Sequence, residues 1–282
     1  MIVGILFGLG ASASWAIANV VIQRSSRQLG AVRAALWAQV TGGIGAAAIA
    51  LLEHAPEPWT ARTAAWAAAG GVSALVAYAG LFTATEGGRL SIVIPIISSW
   101  SVLAAAIGIG VLGEHLKAVQ LFGAALVVAG AWLVAQTPEN VTTGGERTAL
   151  GAALAGALGF GVLIPAIGQL APAAGALGSV AVVMAIELLV AVPLGLALGF
   201  DLRPPRGEEW RAALAAGLFE VLGFACVALA TGRAPVAVVG PTASIGGAVT
   251  VAWAWLVLRE RPGAIALTGA ALSAVGVVTL SL

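Results

Sequence analysis

Charge is what this chain has least of. Charged residues make up 9% of its 282 positions, against about 25% in an ordinary soluble domain, and that excludes a water-soluble globule. The net charge is +1 with no basic run, which leaves no electrostatic footprint for nucleic acid. The single cysteine, Cys226, forms no intrachain disulfide. His54 and His115 both stand between apolar stretches, and no histidine or cysteine cluster has metal-ligand spacing. No metal and no cofactor is therefore expected. Intramembrane enzymes lack their raw material as well. No apolar segment holds a histidine to pair with a serine, and the one aspartate, Asp201, lies in a loop. No catalytic residue is assigned, and the chain is not read as an enzyme.

What is present is apolar sequence. Hydrophobic residues make up 60%, and the mean hydropathy is +1.04. About 20 apolar residues carry a helix across a bilayer, and ten segments qualify: 2–22, 33–52, 63–84, 91–112, 117–136, 148–169, 175–199, 209–231, 236–258 and 263–281. The breaks between them hold the charges. The longest polar interval near the middle, Pro138 to Arg147, joins two halves.

Those halves repeat each other at an offset of 146 residues. Pro95-Ile-Ile-Ser98 falls on Pro241-Thr-Ala-Ser244, Glu114 on Glu260, Gly123 on Gly269 and Gly130 on Gly276. From Ala84 to Gln136 there are 16 identities in 53 ungapped positions. The expected fold is thus an all-α integral membrane protein of ten transmembrane helices. Residues 1–137 form the first five-helix repeat, 138–147 a connecting loop and 148–282 the second repeat. An odd number of spans per repeat makes the second enter the membrane inverted, which gives alternating access a structural basis. Small residues at regular spacing, such as Gly4 and Gly8 or Gly42 and Gly43, suit helix packing in lipid. Trp59, Trp66 and Trp210 lie near span ends, the usual place of interfacial anchors.

Lysine and arginine counts set an orientation. The loops after odd-numbered spans carry 10, and the opposite side carries 3, namely Arg62, Lys117 and Arg233. The positive-inside rule then puts both termini outside the cytoplasm.

The segment from Leu112 through Glu114 and Gln120 to Gly123 and Gly130 resembles a half-signature of the drug/metabolite transporter superfamily. Within it, the likeness is to the EamA-like family. Leu258-Arg-Glu260-Arg-Pro262 through Gly269 to Gly276 is the second copy, with Ala266 in place of Gln120. Trp15 with Asn19 also resembles the family's opening helix. The resemblance implies a secondary carrier without ATP hydrolysis, often an exporter of metabolites or drugs, in a bacterial cytoplasmic membrane. It implies spans 1, 3, 4, 6, 8 and 9 around a central cavity, with 5 and 10 at the periphery. Family members commonly keep their termini in the cytoplasm, which the charge count opposes. The partners are then the lipid bilayer and a small-molecule solute, with the chain a monomer or a homodimer. A passive channel or scaffold is the alternative class.

Within the spans two acids stand out. Glu187 and Glu220 each fall near the middle of an apolar segment. An ionised carboxylate there costs at least about 2.5–3.5 kcal/mol unless it is protonated, paired or hydrated, and no basic residue lies at that depth. Both are proton-coupling candidates, with Glu220 preferred because span 8 would line the cavity. Their counterparts in the first half are Ala74 for Glu220 and Thr41 for Glu187, so both break the internal symmetry.

Pro95 and Pro241 interrupt spans 4 and 9, since proline removes a backbone donor and favours a kink. With Ser98 and Ser244 three residues on, they form either a symmetric pair of polar gates or two static kinks. Trp15, Asn19, Tyr78 and Trp100 are further candidates for the cavity wall, whose aromatics suit an apolar or cationic solute. Glu114 and Glu260 each precede a span and are read as structural acids at the positive end of a helix dipole.

Overall fold

Alanine, glycine and leucine dominate the apolar segments, and in a medium without water their backbone groups must be satisfied within the segment. Helix is the outcome, and among the described residues there is no strand. The computed structural model describes residues 1–53, 57–87, 90–135, 144–246, 264–280 and 282. Its helices are α1 (Ile2–Leu29), α2 (Ala31–Ala50), α3 (Ala61–Gly87), α4 (Leu90–Ser98), α5 (Trp100–Gly110) and α6 (Ala118–Ala135). They continue with α7 (Gly144–Ala174), α8 (Ala176–Ala197), α9 (Glu209–Thr231), α10 (Val236–Ala243) and α11 (Ala264–Leu280). Five of the described helices are long and apolar enough to cross a membrane: Ile2–Leu29, Ala61–Gly87, Arg147–Ala174, Ala176–Ala197 and Glu209–Thr231.

Two expected breaks shrink to one residue. The polar interval from Gln23 to Arg33 is mostly helix, because α1 runs on to Leu29 with Ser25 and Ser26 buried. Gly30, at φ 79, alone separates α1 from α2. Gly175, at φ 83, does the same between α7 and α8. A left-handed φ costs a residue with a Cβ strain that glycine avoids, so glycine permits each reversal in a single step.

The expected fourth span is two consecutive helices. Its first part, α4, contains Pro95 and ends at Ser98, Ser99 forms a turn, and α5 starts at Trp100. In the second half α10 contains Pro241 and ends at Ala243, with a turn at Ser244 and Ile245. The helix starts also correspond, since Leu90 and Val236 are 146 residues apart. Both copies therefore break just after the shared proline. The rest of the expected ninth span, with Glu260, lies outside the described residues, as does most of the expected connecting loop.

Packing runs between the halves. The α1·α9 and α3·α7 pairings are among the most extensive and are repeat-equivalents of one another. A second equivalent pair is visible at two glycines. Gly71 on α3 packs beneath Ile186 and Glu187 of α8, and Gly217 on α9 packs beneath Thr41 of α2. Between α6 and α11, Gly123 meets Gly276 while Gly130 meets Gly269. One index rises as the other falls, so the two helices are antiparallel. An added Cβ at Gly123, Gly130 or Gly276 would strike the opposite backbone, the close approach by which helices associate in lipid. This is the contact an inverted duplication makes about its own twofold axis. Gly4 against Ala230 and Ala234, and Gly42 against Gly217 and Val221, are likewise packing seams.

Candidate functional site

Where the broken helices α4 and α10 converge, α1, α3, α5, α7 and α9 close a chamber with about 50 Å³ of free volume. A cavity needs roughly 10–15 Å³ by this measure to hold one water, so the chamber has room for a few. Trp15, Asn19, Ser98, Trp100, Glu220 and Ser244 line it, all of them expected at the cavity wall. The lining helices correspond to spans 1, 3, 4, 6, 8 and 9, while α6 and α11 pair with each other away from it.

The walls are aromatic. Trp15 meets Trp100 edge-on at 6.1 Å between ring centroids and Phe224 at 5.1 Å. Phe160 stacks on Phe224 at 6.5 Å. Into this wall comes one acid. Glu220 is 3% exposed and accepts a 2.9 Å hydrogen bond from the Tyr78 hydroxyl. Two donors nearby, the Ser12 hydroxyl and the Trp15 indole N–H, have no partner among the described residues. No lysine, arginine or histidine is among the described residues that line the chamber.

Other sequence candidates are placed differently. Tyr78 does not line the chamber but stands behind Glu220 as its donor. The Ser244 hydroxyl donates to the carbonyl of Pro241 at 3.0 Å, so in this state it satisfies the kink. The acid at Glu114 does not serve the helix it precedes. Its carboxylate accepts from Val236 N at 2.7 Å and Ala237 N at 2.9 Å, capping α10 of the other half. The physical reason is access: the free N–H groups at the start of α10 reach it across the bundle, where a helix dipole favours an anion. Glu53 caps α8 and Glu86 caps α2 in the same manner.

Glu187 lies elsewhere. It sits at the inner end of a second cavity of about 540 Å³ between α2, α3, α7 and α8, is 3% exposed, and accepts from Gln39 Nε2 at 2.9 Å. Gln39 carried no motif; the only signal was an amide inside an apolar span. Ser12 and Phe160 are equally unmarked, and their place in the chamber comes from helix rotation alone.

An antiparallel duplicated bundle of apolar helices around a small, aromatic-walled chamber that holds a carboxyl defines a membrane transporter of the two-repeat kind. The chain belongs to the EamA-like transporter family, which it matches over residues 2–136 and again over 147–282. The fold is shared with a solved crystal structure at TM-score 0.75 and 18% identity, over 98% of this chain and 95% of that one. No curated protein is significantly similar in sequence.

Proposed function

We propose that this transporter is a ten-span carrier of a small organic solute, with residues 1–137 and 148–282 as inverted five-helix repeats joined by 138–147. It works by alternating access, with Glu220 as the site where proton and solute compete. The observation that carries this reading is the one carboxyl among the described residues that line the chamber, faced by aromatic rings and unpartnered donors and, among those residues, by no lysine, arginine or histidine. A proton on Glu220 removes the cost of the buried charge; a solute must supply hydrogen bonds or charge in its place. Mutual exclusion follows, and an inward proton gradient drives solute outward. The few-water volume fits a closed state, and widening needs α4 and α10 to move at their shared breaks.

Glu114 acts as a structural acid that holds the start of α10, and Glu260, its repeat equivalent, is assigned a structural role as well. The termini lie outside the cytoplasm, a placement that a reporter fused to the C-terminus tests; a cytoplasmic signal reverses it. For the solute, a thermal-shift screen of amino acids, amines and nucleosides identifies the class. Uptake into proteoliposomes under a pH gradient then decides the coupling. Gradient-driven accumulation in wild type and its absence in Glu220→Gln are expected, and equal accumulation in both overturns the proton role. Saturable counterflow separates a carrier from a channel.

A further inference from the structure

The 540 Å³ groove at Glu187 takes no part in the carrier cycle proposed above, and its construction is that of a ligand site. Its volume lies in the range of about 300–1,000 Å³ usual for small-molecule pockets. Its walls are apolar, and Val32, Val76, Leu194 and Leu198 among them are exposed on the outside of the bundle. The mouth therefore faces the acyl-chain region of the bilayer. From Glu187 to Leu198 along α8 the groove runs about 16 Å at the rise of an α-helix, toward the membrane face where Phe200 and Leu202 close it.

At the inner end stand two acceptors. One is the Glu187 carboxyl, and the other is Gln39 Oε1, which has no hydrogen-bond partner among the described residues although Gln39 is 1% exposed. Tyr78 also reaches the groove, but its hydroxyl is given to Glu220. The remaining charged groups on the packed helices sit in their end turns: Arg33 on α2, Arg62 and Glu86 on α3, Arg147 on α7, Glu209 and Arg211 on α9. None lines the groove, and Arg33 is held by Glu209 and the carbonyls of Arg203 and Pro204. A lipid acyl chain would fill the walls and leave Gln39 Oε1 bare. An ammonium brings several N–H donors and the missing opposite charge.

We propose that this groove is a second binding site, for an amphiphilic primary amine whose alkyl chain lies along α8 and whose ammonium meets Glu187 and Gln39. The amine enters sideways from the bilayer, without passing through the central chamber.

The test compares spin-labelled stearylamine with spin-labelled stearyl alcohol, by electron paramagnetic resonance, on the intact protein in phosphatidylcholine nanodiscs. In wild type the immobilised fraction is expected to favour the amine several-fold. Glu187→Gln, which preserves shape, and Gln39→Leu should each bring amine and alcohol to parity, while Ala191→Trp lowers immobilisation of both by filling the groove. Glu220→Gln should leave the preference intact, which separates this site from the proton role of the chamber. Parity in wild type leaves the groove to acyl chains and overturns the proposal. So does a preference that survives Glu187→Gln and Gln39→Leu, or one that Glu220→Gln removes.

Discussion

Glu220 and Glu187 are the same residue type, equally buried and both near mid-span, and Tyr78 stands beside both, yet the spaces they face differ. Glu220 faces a narrow chamber beside two pseudo-equivalent helix breaks, with aromatic rings on its walls and a tyrosine hydroxyl as donor. Glu187 faces a wide apolar groove on the flank, with an amide as donor. Depth in the bilayer sets the cost of each charge; the walls decide what can relieve it. In the chamber that is a proton or a small solute held between aromatic rings. In the groove it is a molecule that can stay partly in lipid.

The largest contrast should come from neutralising each acid in turn. One-proton coupling supports about tenfold accumulation per unit of pH gradient. Glu220→Gln should reduce that ratio to one in proteoliposomes, while Glu187→Gln keeps most of it. Loss of accumulation in Glu187→Gln would merge the two regions into one coupling unit. Next in size, Gly130→Leu should destabilise the protein by about 1–3 kcal/mol, since its side chain has no room against Gly269 and Ser273. A lowered Tm in detergent reads this out, and Gly110→Leu, which meets nothing nearby, serves as the control. Tyr78→Phe removes the donor to Glu220 at a cost of about 1–3 kcal/mol in that bond. Its expected mark is a displaced pH dependence of transport beside a Tm loss of matching size; an unchanged profile would make Tyr78 simple packing. The smallest effect is expected at Glu114→Ala, which leaves two N–H groups of α10 uncapped, for about 0.5–2 kcal/mol in thermal stability.

Much of this was legible in the linear chain because duplication marks what both halves need. Pro95 and Pro241 were marked by the repeat and stand in the two helices that break, and Ser98 and Ser244, marked in the same way, stand among the residues that line the chamber. The glycines seven apart marked the α6·α11 contact. The residues that were missed are unshared and unmarked. Gln39 reads as one amide in an apolar run, and nothing local says that it faces Glu187 from 148 positions away. Glu114 was recognisable as a capping acid but assigned to its own neighbouring helix, because sequence shows which helix start is near in the chain and not which is near in space. Tyr78 was placed on the cavity wall, whereas a rotation of α3 sets it behind Glu220.

Hydropathy and the repeat are properties of composition and order, so they fixed a membrane bundle of two related halves without any coordinates. The cost of a buried charge likewise marked both acids in advance, since each falls near the middle of an apolar span with no basic residue at that depth. Which space each acid faces was decided only in the folded bundle. Helix α1 packs on α9, α3 on α7, and α8 on α2 and α3, across the halves, and those contacts set each helix's rotation about its own axis. That rotation turned one carboxyl into the chamber and the other into the inner end of the flanking groove.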